Sequence, residues 1–178
     1  KDGRVDILII SDNSGSMAEE QKKMGSRFSS FISGIKDLDW QIGVTTTDVS
    51  DGPWGVKGGL VDLTGHPGSK ILTPRFADAG TVFTNTVTRQ ETIDCELDPS
   101  FCPSGDEQPL YSTVLAIEKR TTVNRGFFRS ASDLAVVVLS DEDERSDGSQ
   151  STIRPQDVIA KHRSVWGAEK KVSFYGIV

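Results

Sequence analysis

The fold of this chain is decided by the stretch Val5-Asp6-Ile7-Leu8-Ile9-Ile10-Ser11-Asp12-Asn13-Ser14-Gly15-Ser16-Met17. Its first part is a nearly continuous apolar run, which is typical of a parallel strand that is buried on both faces. The run stops abruptly at an aspartate, two spaced serines and a glycine, and residues 17–36 then carry apolar side chains at helical spacing. A buried strand, a polar turn and a helix in this order predict an α/β fold.

Strand and helix patterns alternate through the rest of the chain, which predicts a doubly wound, mostly parallel sheet flanked by helices. The predicted strands are 39–48, 134–140 and 172–178, and the predicted helices are 109–121 and 155–166. Residues 60–63 and 71–72 are expected to pair as a short hairpin. The segment 76–87 is ambiguous between helix and loop, because its threonines lower the helix propensity.

The two cysteines, Cys95 and Cys102, lie in a proline-containing segment, 92–106, that we predict to be a loop. They are close in the sequence and the chain has no others, so we expect a local disulfide rather than two free thiols. A disulfide is typical of proteins in oxidising compartments. A zinc site is not expected, because the two histidines, His66 and His162, have no metal-ligand spacing.

The polar turn after the first strand is a candidate cation site, because ligands of open α/β sheets bind outside the carboxyl ends of strands, near the point where the strand order reverses. Asp12, Ser14 and Ser16 would offer one carboxylate and two hydroxyls there. A second buried strand, 134–140, is also followed by an aspartate, Asp141. These hard oxygen ligands suit Mg²⁺, our first choice, or Mn²⁺ or Ca²⁺. The alternative is a turn that only caps the following helix.

At these residues the chain resembles the von Willebrand factor A family, which includes the integrin I domains. The metal-ion-dependent adhesion site of that family begins with D-x-S-x-S after a hydrophobic strand, which residues 12–16 match, and Asp141 stands where the family has its last site residue. The likeness covers essentially the whole chain. It implies the family's fold, a bound divalent cation, and adhesion to a partner whose carboxylate completes the coordination of that cation.

Several short motifs resemble a subgroup of bacterial surface and secreted lipoproteins within this family. They are Asp12–Met17, Glu20-Gln21, Thr46-Thr47-Asp48, Gly105–Gln108, Gly126–Arg129 and Ser140–Asp143. The resemblance implies an extracellular location, most readily the outer surface of a bacterium, and a protein or surface glycan as the partner. The family usually continues with a further helix, strand and helix. We therefore expect this chain, a single domain over residues 1–178, to be a fragment of a longer protein.

The chain departs from the family pattern at the middle site residue, which is usually a threonine before the helix that leads to the last site strand. The segment here is Ser104-Gly105-Asp106-Glu107-Gln108-Pro109, and Thr113 lies too far into the helix to substitute. Glu107 is our candidate, with Asp106 and Gln108 as competitors, and the alternative is that Asp106 and Glu107 only cap the helix. Direct ligation by Glu107 would raise the affinity for metal and lower the attraction for an external carboxylate.

The acidic run after the second site strand permits a second cation site. Asp143 and Asp147, with Asp48 from the end of another strand, are its candidate ligands. The favoured alternative is a solvated acidic loop, because most charge runs are solvated.

The composition is that of an ordinary globular domain and excludes several classes of function. The 178 residues suffice for one domain with a real core, and 35% of them are hydrophobic and 26% charged. The net charge is −6 without a basic stripe, so nucleic acid is not an expected partner. No apolar run reaches the roughly 18 residues that span a membrane, and no segment has the pattern of a signal peptide. An export signal or anchor would lie outside these residues.

We therefore expect a metal-dependent adhesion or protein-binding module rather than an enzyme. One alternative is a structural module of a surface fibre, in which the metal only stabilises the fold. Another is a Mg²⁺-dependent, phosphatase-like enzyme that forms an aspartyl-phosphate. This last class is disfavoured, because such enzymes need a second carboxylate two residues after the first, where this chain has Ser14.

Overall fold

A four-stranded, all-parallel β-sheet in the order β2-β1-β3-β4 forms the centre of the protein. Its strands are β1 Arg4–Ser11, β2 Asp39–Thr46, β3 Asp133–Leu139 and β4 Val172–Ile177. The helices are α1 Ala18–Ser26, α2 Phe28–Ser33, α3 Ala79–Val87, α4 Gln90–Leu97, α5 Pro109–Glu118 and α6 Pro155–Trp166, with short 3₁₀ helices at Gly15–Met17, Pro99–Phe101 and Lys119–Thr121. This computed structural model describes residues 3–105, 107–141, 144 and 153–177. Over those residues, no helix combines the length and the apolar character needed to cross a membrane.

Helices cover both faces of the sheet, because the central strand β1 carries apolar side chains in both directions. On one face Ile9 belongs to a buried cluster with Phe28 of α2 and Phe83 of α3. On the other face Leu8 belongs to a separate cluster with Ala116 of α5. The predicted doubly wound α/β fold with a parallel sheet is therefore confirmed.

The strand order reverses beside β1, which lies between β2 and β3. The chain leaves β1 to one side to form β2, and it then crosses to the other side to form β3. Ser11, the last residue of β1, is in register with Thr46 and with Leu139. The residues that follow β1 and β3, Asp12 and Ser140, are consequently neighbours at the position where open α/β sheets bind ligands.

Two of the predicted helical and loop segments differ from the structure. The helix predicted over 17–36 is divided at Arg27 into α1 and α2, and the weak helix formers Gly and Ser precede the break. The ambiguous segment 76–87 contains α3. The loop predicted over 92–106 is wrong at its start, because α4 extends to Leu97 and the prolines that suggested a loop begin only after it.

The hairpin predicted between 60–63 and 71–72 is also wrong. Leu72 instead exchanges two backbone hydrogen bonds with Ile42 of β2, each of 2.8 Å, and the Val61 N–H donates to the carbonyl of Val44 at 2.9 Å. Because β2 is an edge strand, its outer backbone groups need partners, and these two segments supply them.

The predicted disulfide between Cys95 and Cys102 is present. It connects the last turn of α4 to the residue that follows the 3₁₀ helix Pro99–Phe101. Closing so short a loop stabilises the folded protein by about 2–3 kcal/mol in the chain-entropy model.

A buried ion cluster lies at the amino end of the sheet, opposite the candidate site. The carboxylate of Asp6, which is completely buried, accepts hydrogen bonds from the backbone N–H and Nε of Arg129 at 2.8 and 2.7 Å and from Ser132 Oγ. Lys170 Nζ lies 3.4 Å from the same carboxylate and donates to the carbonyls of Arg129 and Ser132 at 2.6 and 2.8 Å. Burial lowers the pKa of Lys170, and the carboxylate of Asp6 opposes that shift. The cluster joins β1 to the segments that precede β3 and β4.

Candidate metal centre

The carboxylate of Asp12 is fixed by the two loops that meet at the reversal of strand order. Asp12 is completely buried, and its Oδ1 accepts a 2.9 Å hydrogen bond from the Ser14 N–H. Its Oδ2 accepts a 2.8 Å hydrogen bond from Ser140 Oγ, and its backbone N–H donates to the Leu139 carbonyl at 2.9 Å. The carboxylate is therefore held in one orientation by residues that follow β1 and β3.

The two predicted hydroxyls of the same loop come together. The Oγ atoms of Ser14 and Ser16 are 3.1 Å apart, with Ser14 half-buried and Ser16 exposed. Gly15 between them packs against the disulfide, since a Cβ at this position would lie 2.8 Å from Cys95 Sγ and 3.3 Å from the Glu96 backbone nitrogen. The glycine of the motif is thus required by the close approach of α4, a relation that the motif alone does not indicate.

Two residues outside the predicted set of ligands, Gln21 and Thr92, hold the loop in place. Gln21 of α1 donates through Nε2 to the Asp12 carbonyl at 2.7 Å and to Thr92 Oγ1 at 3.0 Å. Thr92 of α4 in turn donates through Oγ1 to the Asn13 carbonyl at 3.0 Å. Gln21 and Thr92 are 71 positions apart in the chain. The only sequence signal that could have identified them is a polar residue on the buried side of each helix.

Asp141 and Glu107 are placed differently from the three loop residues. Asp141 follows Ser140 after β3 and is exposed. Glu107 is buried beside the end of β2, where it forms an isolated antiparallel bridge with Asp48. Over the ranges that the structure covers, no group of three or more His, Cys, Asp or Glu side chains is arranged to hold a metal. A cation at Asp12 would therefore depend on hydroxyl oxygens for much of its coordination.

The amino end of α5 is capped from another loop. The N–H groups of Leu110 and Tyr111 donate to the carboxylate of Glu144 at 2.7 and 3.1 Å, and the N-cap residue Gln108 makes no capping bond through its side chain. A carboxylate at a helix amino end is favourable, and Glu144 supplies it here. Asp106, the competitor for the middle site position and a candidate cap, lies outside the described residues.

Asp48, a candidate ligand of the second cation, is engaged in loop structure. It is completely buried, and its carboxylate accepts hydrogen bonds from the N–H groups of Ser50 at 2.8 Å and Ser104 at 3.4 Å. Asp143 and Asp147, the other candidates, lie outside the described residues.

Several buried polar atoms surround the ends of β1 and β2. Those without a hydrogen-bond partner among the residues described are Ser11 Oγ, Asn13 Oδ1 and Nδ2, Thr46 Oγ1 and Thr47 Oγ1. Buried polar atoms of native proteins almost always bind a protein group, a water molecule or an ion. Of these, Asn13 adjoins Asp12 in the chain and Thr47 follows the residue that pairs with Ser11, so their polar atoms belong to the same strand ends as the Asp12 carboxylate. Together with the two serine hydroxyls they fit a site for a hard divalent cation.

No protein-family model matches the chain, and no curated protein matches it significantly. The chemistry of the site must therefore be judged from its own residues. One buried carboxylate and two neutral hydroxyls are a hard-oxygen donor set, which suits binding of a cation more directly than it suits nucleophilic catalysis.

Proposed function

We propose that this protein is a metal-dependent adhesion or protein-binding module that holds its partner through a divalent cation at the carboxyl ends of β1 and β3. The observation that carries the proposal is that one short loop holds the completely buried Asp12 carboxylate and the hydroxyls of Ser14 and Ser16, whose oxygens are 3.1 Å apart. These three residues would hold Mg²⁺, or Mn²⁺ or Ca²⁺, with Asp141 and Glu107 as the further candidate ligands.

The charge of the donor set explains why a partner would bind there. A divalent cation held directly by Asp12, Ser14 and Ser16 alone would keep net positive charge, because Asp12 contributes one negative charge and the two serines contribute none. Direct ligation by Glu107 or Asp141 as well would offset that charge, so these two residues must act through water or remain outside the coordination shell when a partner binds. A carboxylate on a partner protein or surface glycan can neutralise the remaining positive charge of the cation. The protein's own net charge of −6 opposes long-range attraction of an acidic partner, so recognition depends on the local field at contact.

The proposed setting is an extracellular one, on the outer surface of a bacterium. The Cys95–Cys102 disulfide supports an oxidising compartment, and the sequence resemblance supports the bacterial surface. A purely structural metal is the rival role for the same site. The two roles differ in one respect, because only the adhesion role requires that the loaded site bind an external carboxylate.

Replacing Glu107 by threonine tests whether the chain itself provides a carboxylate ligand to the cation. If Glu107 is a ligand, Glu107→Thr is expected to weaken Mg²⁺ binding and to strengthen the binding of external acetate, each by roughly tenfold, because one negative charge leaves the site. Titration calorimetry of the metal-stripped protein measures the first effect. The enhanced relaxation of acetate methyl protons by the Mn²⁺-loaded protein measures the second.

Glu118→Thr is the matched control, because Glu118 lies at the other end of α5 and pairs with Lys161. It should change neither measurement. Equal behaviour of the two variants would show that Glu107 has no part in the site. Absence of an acetate effect in the Mn²⁺-loaded wild type would contradict binding through an external carboxylate.

A further inference from the structure

Three residues form a row across the ends of neighbouring parallel strands. The last paired residues of β2, β1 and β3 are in register, so the next position along each strand is Thr47, Asp12 or Ser140. Side chains at matching positions of adjacent parallel strands point to the same face. Two members of the row are in contact, because Ser140 Oγ donates a 2.8 Å hydrogen bond to the Asp12 carboxylate.

Thr47 occupies the other side of Asp12. Its N–H donates to the Ser11 carbonyl at 3.3 Å, and its carbonyl accepts from the Gln108 N–H at 3.1 Å. Thr47 is thereby fixed between the loop that carries Asp12 and the segment that carries Glu107. Its side chain is completely buried, and its hydroxyl has no hydrogen-bond partner within the described part of the chain. Burying such a group is costly unless a partner compensates.

We infer that the Thr47 hydroxyl is a ligand of the cation site, the third hydroxyl beside those of Ser14 and Ser16. The inference rests on the proposed function, since it concerns the same site. A neutral oxygen at this position adds to the coordination without adding negative charge, which leaves the charge of the cation available to a partner's carboxylate. It would also give the site a threonine hydroxyl, which the segment that carries Glu107 does not provide.

The test is calorimetric titration of the metal-stripped protein with Mg²⁺ and Mn²⁺, using variants that separate the hydroxyl from the shape of the side chain. Thr47→Val replaces the hydroxyl by a methyl group of similar size, and it is expected to weaken the binding of both metals at least about tenfold. Thr47→Ser retains the hydroxyl and should restore affinity to within a few-fold of wild type. Without metal, Thr47→Val should melt at the same temperature as wild type or higher, because an uncompensated buried hydroxyl has been removed.

Thr46→Val is the matched control. The Thr46 hydroxyl is equally buried and also has no partner among the described residues, but it precedes the row and points to the opposite face. Its loss should leave metal affinity unchanged. If Thr47→Val binds metal as the wild type does while Asp12→Ala does not, this inference is overturned and the cation site stands. If the wild type binds neither metal, the inference fails together with the proposed function.

Discussion

Asp6→Asn is expected to lower the free energy of unfolding by about 3–5 kcal/mol, because it removes the buried carboxylate from an ion cluster whose cations remain. The Asp6 carboxylate is completely buried and is the common acceptor for Arg129 and Lys170. The side chain of Lys170 is only 1% exposed, so water cannot replace the lost carboxylate. Urea denaturation followed by circular dichroism measures the effect.

Asp39→Asn provides the comparison, because Asp39 also pairs with Arg129, at 2.9 Å, but its side chain is 55% exposed. Exposed ion pairs contribute about 0–1 kcal/mol, and the cost should stay in that range. A loss for Asp6→Asn no larger than that for Asp39→Asn would show that the cluster does not hold the amino end of the sheet together.

Asp12→Ala is expected to abolish measurable Mg²⁺ binding. Asp12 is the only carboxylate within the loop 12–16, so its loss removes the charge that would hold the cation there. The loss of affinity should exceed the roughly 10–100-fold typical of residues that only orient metal ligands. Calorimetric titration measures it, and the circular dichroism spectrum establishes that the variant is folded.

Asp37→Ala is the control for this second change. Asp37 is exposed and lies just before β2, which begins at Asp39, so it is at the opposite end of the sheet from Asp12. Its removal lowers the number of negative charges equally, and Mg²⁺ binding should persist. Equal loss of binding in both variants would mean that overall charge, and not the loop, attracts the cation.

The strands of the sheet and the polar turn after the first of them could be predicted from the sequence because they depend on local patterns. The apolar run before Asp12 and the run over 134–140 mark strands that are buried on both faces, and the structure places both at the centre of the sheet. The disulfide was predictable for a similar reason, since Cys95 and Cys102 are close in sequence.

Other features depend on contacts between distant segments, which no local pattern encodes. The hairpin expected between 60–63 and 71–72 does not form, because Val61 and Leu72 make their backbone hydrogen bonds to the edge of β2. The placement of Glu107 beside Asp48 likewise follows from the packing of two loops. The Gln21–Thr92 hydrogen bond that supports the Asp12 loop links two helices, and a polar residue in the sequence of one helix does not identify its partner in another.

Thr47 shows where the structure adds to the motif. In the sequence it is one of three consecutive threonines at the end of a predicted strand, with nothing to distinguish it from Thr46. Register distinguishes them, because Thr46 pairs with Ser11 and the next position brings Thr47 beside Asp12. The face on which each hydroxyl lies then follows from the alternation of side chains along a strand.

The most direct test of the cation site is to locate Mn²⁺ by its anomalous scattering in crystals grown with that metal. We expect one strong peak at the loop after β1, with oxygens of Asp12, Ser14 and Ser16 at about 2.0–2.6 Å from the ion or linked to it through water. No peak at this loop at saturating Mn²⁺, or a peak only elsewhere on the protein, would show that the loop does not hold a cation.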